Sequence, residues 1–258
     1  MLSSRSAERL RPVQDECERL GAGGTRVVAG DVLDEQEVDH CVEQAREAFG
    51  RVDVVVQTAA VMAYGALDDL PSAVFGRVVD TSIRGTFNVS RAVLPAFRHQ
   101  GGGTWVVVTS LLAAVPVPLM GAYITAKWGQ LGLLRVLQLE TRAEPGINIC
   151  TVAPGSVDTP IFRAAANYAG WVGRPPPPVS SAEKVARAVL RQADHPRKNI
   201  SVGPANGLIT LGYRLLPPLY DRMVMPLAKL AALSNEVRSP TEGNVFSPAD
   251  RAADAEAG

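Results

Sequence analysis

Two hydrophobic periods alternate along this chain. Trp105-Val106-Val107-Val108 is an unbroken apolar run rich in β-branched residues, directly after Gly101-Gly102-Gly103. Such a run predicts a strand buried on both faces. Residues 25–29, 52–56, 147–152 and 199–202 predict further strands, and residues 1–4 read as the end of another. Helical periods lie between them. Residues 6–20 predict a helix closed by Gly21, with Pro12 near its start. Asp34 and Glu37 make a capping box for a helix reaching Phe49, just before Gly50. Residues 71–100 predict a helix bent near 82–85, and another helix runs from about Gly121 to about Glu144. Ser181 caps one that reaches Ala193. Strands alternating with helices predict an α/β fold with a doubly wound parallel sheet.

Beyond residue 160 the pattern loosens. Residues 174–179, with four consecutive prolines, predict an extended stretch. Residues 207–233 are apolar but interrupted by Pro217, Pro218 and Pro226, which predicts short broken helices packed over the substrate side or at a subunit contact. Residues 234–258 are polar and read as a mostly disordered tail. The expected organisation is one domain over 1–233, with 160–233 covering one side.

Composition removes several function classes. Lys+Arg and Asp+Glu both number 26, so no global basic field invites nucleic acid. No apolar run reaches the length of a membrane span, and the N-terminus lacks the apolar core of a signal peptide. A cytoplasmic protein is expected, with a membrane-surface role disfavoured. Cys17, Cys41 and Cys150, like His40, His99 and His195, have neither disulfide nor metal spacing, so no metal is expected.

Candidate chemistry sits where the central strand ends. Thr109 and Ser110 close that strand, and Tyr123 and Lys127 lie four apart on the helix that follows, hence on one face. Ser110, Tyr123 and Lys127 can thus converge at the carboxyl end of a strand, where open α/β sheets bind ligands. A nearby ammonium favours a phenolate, a tuned phenol exchanges protons with an alcohol or carbonyl oxygen, and a serine hydroxyl can hold that oxygen. The trio has no electron source, so a cofactor must supply one. Alone, Tyr-x-x-x-Lys is also what a surface pair on an ordinary helix looks like.

These residues, with Tyr123-Ile124-Thr125-Ala126-Lys127 and Ala153-Pro154-Gly155-Ser156-Val157-Asp158-Thr159-Pro160, resemble the short-chain dehydrogenase/reductase family. The resemblance extends from Met1 to about Gly203 and implies a Rossmann-like sheet. It implies that Ser110 positions the substrate oxygen, that Tyr123 is the general acid/base, and that Lys127 lowers the Tyr123 pKa and binds the nicotinamide ribose. Asp31-Val32 resembles the pair bordering the adenine, although a strand-end turn reads the same. Pro154, Gly155, Val157 and Thr159 resemble the segment holding the nicotinamide amide. Ser4 stands where an acid would select NAD, and Arg5 could pair with a 2′-phosphate. NADP is therefore favoured, with NAD possible and a solvated arginine as the plain alternative. The family also implies a small-molecule substrate and a homodimer or homotetramer. Apolar and aromatic residues at 113–121 and 161–179 point to a lipophilic carbonyl or alcohol.

Three departures bear on that reading. Gln57-Thr58-Ala59-Ala60 replaces the family's Asn-Asn-Ala-Gly, with a methyl at Ala60 where glycine admits the cofactor. Ser82 stands at the family's fourth catalytic position, an Asn. No glycine-rich strand-to-helix turn precedes Asp31. The chain is expected to be an N-terminally truncated member, with a sheet lacking its first strand, first helix and most of its second strand. The alternative function is an inactive remnant that acts through subunit or structural contacts.

Overall fold

The valine-rich runs form the sheet they predict. The structure, a computed structural model, describes residues 1–248. In chain order it contains β1 (Leu2–Ser4), α1 (Ala7–Arg19), β2 (Val27–Ala29), α2 (Glu35–Phe49), β3 (Val54–Gln57), β4 (Ala63–Tyr64), α3 (Ser72–Gln100), β5 (Gly103–Val108), α4 (Gly121–Glu140) and β6 (Ile147–Pro154). There follow β7 (Ser156–Val157), β8 (Ala166–Asn167), β9 (Trp171–Gly173), β10 (Val179–Ser180), α5 (Ala182–Asp194), β11 (Asn199–Val202), α6 (Asn206–Leu215), α7 (Pro217–Ala232) and β12 (Leu233–Val237). The main sheet is parallel, in the order β11-β6-β5-β3.

Burial explains the strand composition. Trp105, Val106 and Val107 of β5 are fully buried because helices cover both faces. On one face Val89, Val93 and Phe97 of α3 and Leu134 of α4 pack against Trp105, Val107 and Ile149. On the other, Val185 and Val189 of α5 pack against Val106, Cys150, Val152 and Val202. This is a Rossmann-like doubly wound α/β arrangement. At the base of β5, Gly102 at φ 155° packs tightly on the backbone of Gly146, an approach that a Cβ would block.

The first two strands stand apart. β1 and β2 form a separate parallel pair, with Leu2, Ser3 and Ser4 opposite Val27, Val28 and Ala29. Among the described residues, neither the free edge of β1 nor that of β3 meets another strand. Val54 and Val56 of β3 are 40% and 47% exposed, unusual for an apolar parallel strand. A groove of about 410 Å³ lies between the two edges. It is floored by Val38, Val42 and Ala45 of α2 and by Val89 and Val93 of α3.

Several elements differ from the sequence expectation. Glu37 does not close the capping box: Asp34 Oδ1 accepts from the amides of Gln36 and Glu37, but Glu37 Oε2 accepts from the Asp31 amide at 2.7 Å. Helix α3 runs uninterrupted through 82–85, where Gly85 lets Val32 lie against the helix. Residues 206–232 form two helices broken only at Leu216, and Pro226 lies on an exposed stretch of α7. The tail expected to be disordered is folded as far as it is described. β12 pairs antiparallel with β9, Thr241 bridges Asn167, and Val245 is fully buried. Composition averages over a segment and so misses one well-placed apolar anchor with a few backbone hydrogen bonds. The rest of that tail, residues 249–258, lies outside the described residues.

Candidate active site

Strand β5 and helix α4 bring the predicted trio together. Ser110 follows β5 and caps a short 3₁₀ turn, its Oγ accepting from the Leu112 amide at 3.1 Å. It also interacts with the Tyr123 phenol. Lys127 Nζ lies 5.7 Å from the centroid of the Tyr123 ring. It donates to the Val108 carbonyl at 3.3 Å and to Gln130 Oε1 at 3.0 Å. Thr109 faces away from the trio, donating to the Val152 carbonyl.

Burial dominates the electrostatics. Tyr123 is pushed up to about 12 by desolvation, against a smaller downward pull from Ser110. Lys127, 1% exposed, is pushed down to about 8 by burial. The resemblance assigns Lys127 the task of lowering the Tyr123 pKa; here the group that pulls it down is Ser110, and desolvation is the larger effect. In this state the phenol holds its proton, which suits a proton donor.

Other predicted residues fall into two groups. Arg5, Asp31, Val32, Thr58, Ala59 and Ala60 all line the groove between β1 and β3. Pro154 ends β6, Gly155 donates its amide to the Val202 carbonyl, and Val157 lies in β7, two residues before half-buried Thr159. Ser82 is fully buried with its hydroxyl unpartnered.

The phosphate end of the groove differs from what the sequence implied. Arg5 Nη2 and Nη1 donate to the carbonyls of Asn244 and Val245 at 2.6 and 3.1 Å. Arg77, which sequence reasoning missed, pairs with Asp31 and also reaches the Val245 carbonyl. Arg5 and Asp31 therefore face each other and the C-terminal segment, and a 2′-phosphate would have to compete for Arg5. Burial and neighbouring Arg77 lower the Arg5 pKa, while Asp31 opposes them.

Two more residues were missed. Tyr64 is 1% exposed and its hydroxyl has no partner. Its pKa is raised by burial and by Tyr123, so the two phenols share a site. The signal was one polar group inside the apolar run 61–64. Gln130, three residues beyond Lys127, is 1% exposed and contacts it directly. Its signal was an amide one helical turn from a catalytic-type lysine.

A nicotinamide dinucleotide fits this site in part. Lys127, Tyr123 and the turn at 154–159 suit a nicotinamide ribose and its amide, with the buried Ser156 hydroxyl left unpartnered beside them. Among the described residues no glycine-rich turn at a helix N-terminus presents amides to a pyrophosphate.

The family model for short chain dehydrogenase matches residues 1–168, and the chain belongs to that family. It is 32% identical over 162 residues to sepiapterin reductase of Chlorobaculum tepidum, a match covering 63% of this chain and 66% of that protein. It is 29% identical over 229 residues to the uncharacterized oxidoreductase YxnA of Bacillus subtilis, covering 86% and 63%. Dehydrogenase/reductase SDR family member 4 of Bos taurus is 33% identical over 147 residues, covering 57% and 51%. The chain thus spans about half to two thirds of these relatives, from 51% to 66%. An alcohol dehydrogenase of Thermococcus sibiricus, solved with 5-hydroxy-NADP, superposes with a TM-score of 0.66 at 25% identity, covering 78% of this chain and 83% of that one. A short-chain dehydrogenase of Streptomyces avermitilis gives 0.69 at 21% identity and 85% of each chain, which shows the fold. The chain is thus of oxidoreductase family, with an NAD(P)-type fold. No helix among the described residues is long and apolar enough to cross a membrane.

Proposed function

We propose that this chain carries the acid/base half of an NADP(H)-dependent oxidoreductase acting on a carbonyl/alcohol pair. The observation behind this reading is the convergence of Ser110, Tyr123 and Lys127 at the carboxyl end of β5. A bound nicotinamide would supply the hydride. Ser110 holds the substrate oxygen, and the Tyr123 phenol gives it a proton in reduction or takes one in oxidation. Lys127 supplies positive charge beside the phenol, and one of its three ammonium protons remains free for a ribose hydroxyl. Ser82, being short, does not reach another group in this structure. NADP over NAD rests on Arg5 beside non-acidic Ser4, with the C-terminal carbonyls as competitors.

The surroundings of Tyr123 support a lipophilic substrate. Tyr64, Met120 and Ala165, with Ile161, Phe162 and Tyr168 against them, make one apolar cluster with it. A homodimer or homotetramer is part of the proposal, with exposed Phe87 on α3 and Trp128, Val136 and Leu139 on α4 as candidate contact residues. A second reading, a non-catalytic subunit, is favoured by one observation: among the described residues the groove offers no amide cradle for a pyrophosphate.

The test uses the chain extended at its N-terminus by an apolar strand and a glycine-rich turn. Tyr123→Phe is expected to lower kcat/KM for carbonyl reduction by about 10²-fold or more while NADPH still binds. A Phe variant keeping more than about a tenth of the activity would contradict the assignment of Tyr123.

A further inference from the structure

We infer that Gln130 is the positioning residue of Lys127, and that its amide, continued through Thr86, ties the lysine to Gln57 at the groove wall. The inference builds on the acid/base reading of the trio. Lys127 and Gln130 are 1% exposed, Thr86 is fully buried and Gln57 is 5% exposed. At such burial each polar group requires a partner.

The chain of hydrogen bonds has a defined direction. Lys127 Nζ has only donors, so the atom of Gln130 facing it at 3.0 Å is the carbonyl oxygen. The Gln130 Nε2 then points to Thr86 Oγ1, at 2.8 Å. Gln57 Nε2 donates to the same hydroxyl oxygen at 3.1 Å. Thr86 Oγ1 thereby accepts from both amides, and the donor-only ammonium fixes the orientation of the Gln130 amide. Gln57 Oε1, left without a partner, sits on a residue that lines the groove. Three side chains, one each on β3, α3 and α4, thus link the acid/base lysine to the groove wall.

A structural role alone would not need this arrangement. A leucine at 130 would fill buried space between α4 and α3 without a polar group to satisfy. Gln130 Oε1 is the only side-chain acceptor of the Lys127 ammonium among the described residues; its other acceptor is the Val108 carbonyl. Ser82 lies one turn before Thr86 on the same face of α3, and its hydroxyl is unpartnered. The amide serving the lysine therefore arrives from α4 and not from α3. The titratable group facing Lys127 is Tyr123, and no carboxylate lies within ion-pair reach of it among the described residues.

The test needs neither cofactor nor turnover, so an inactive chain still decides it. The four lysines, Lys127, Lys184, Lys198 and Lys229, are labelled at Cε and titrated by NMR. In wild type one resonance is expected to titrate well below the other three. Gln130→Leu should lower that midpoint by about one pH unit, a tenfold loss in proton affinity, because the charged form loses a hydrogen bond. Gln130→Glu should raise it by at least as much, and serves if the leucine variant does not fold. An unmoved midpoint in either folded variant overturns the role of Gln130. The Gln130 side-chain amide signal is assigned by its loss in Gln130→Glu. Thr86→Val should shift that signal, and an unshifted one overturns the link to Gln57.

Discussion

Replacing Lys127 by Met separates the burden of a buried charge from the function it serves. Met keeps most of the buried stem volume and removes the ammonium. Burial lowers the Lys127 pKa from 10.5 to about 8. Between those values the unfolded chain binds more protons than the folded one, so wild-type stability rises with pH across that window. The burden is fully present below pH 8. It amounts to about 3 kcal/mol at pH 7, about 2 at pH 9 and under about 1 at pH 10. Met also leaves the Val108 carbonyl and Gln130 Oε1 without their donor. That offsets about 1 kcal/mol for each acceptor. The net sign at pH 7 is therefore a poor test, whereas the pH dependence is a good one. Urea denaturation of both proteins at pH 7, 8, 9 and 10 should show the Lys127→Met variant losing about 2 kcal/mol of relative stability across the series. Tyr123, pushed up to about 12, and Tyr64, higher still, titrate above this range and are common to both proteins. Parallel stability curves would refute the argument. They would mean that Lys127 is not desolvated, and that its charge was never maintained against a folding burden.

Three further outcomes follow from the groove and the C-terminal segment. The 258-residue chain alone is expected to show no saturable low-micromolar binding of NADPH or NADH by calorimetric titration, because among the described residues no amide cradle faces a pyrophosphate; such binding would show that the groove is sufficient. In the chain extended by a strand and glycine-rich turn, Arg5→Asp should move the kcat/KM ratio from NADP(H) toward NAD(H), and a wild type that already prefers NAD(H) would remove the Arg5 assignment. Val245→Asp, at a fully buried position, should cost about 2 kcal/mol or more and free the C-terminal segment for limited proteolysis, with unchanged cleavage counting against its docking.

Much of the fold was legible because burial and period coincide. Residues 105–108 read as a central strand since both faces of β5 are covered, leaving no alternation to blur the pattern. The trio was legible for a similar reason: Tyr123 and Lys127 sit one helical turn apart, and Ser110 ends the strand that feeds the helix. What escaped depended on distant partners. Glu37 reaches Asp31 and not its own helix start, because the strand end offers a free amide there. Arg5 binds carbonyls about 240 positions away, a contact that no local window contains. Gln130 became meaningful only once α3 placed Thr86 against it. The depth at which Tyr123 is buried, which raises its pKa, was not legible either, because a sequence shows the neighbouring lysine but not the desolvation.

The two halves of the candidate site rest on different parts of the sheet, and this separates chemistry from binding. Ser110, Tyr123 and Lys127 hang on β5 and α4, whose partners β3 and β6 are both in place. Their order depends on packing such as Leu134 against Trp105, far from the groove. Arg5, Asp31 and Ala60 line two strand edges that do not touch each other. Unpaired edges with half-exposed valines are the weakest part of a parallel sheet, since each free backbone group is a template for another strand. Perturbing the groove should therefore alter cofactor affinity and association long before it disturbs the proton-handling residues. Gln57 is the exception. It lines the groove, yet its amide reaches Thr86 and, through Gln130, the lysine. That buried chain is a hydrogen-bonded route by which binding in the groove can be sensed at the acid/base site.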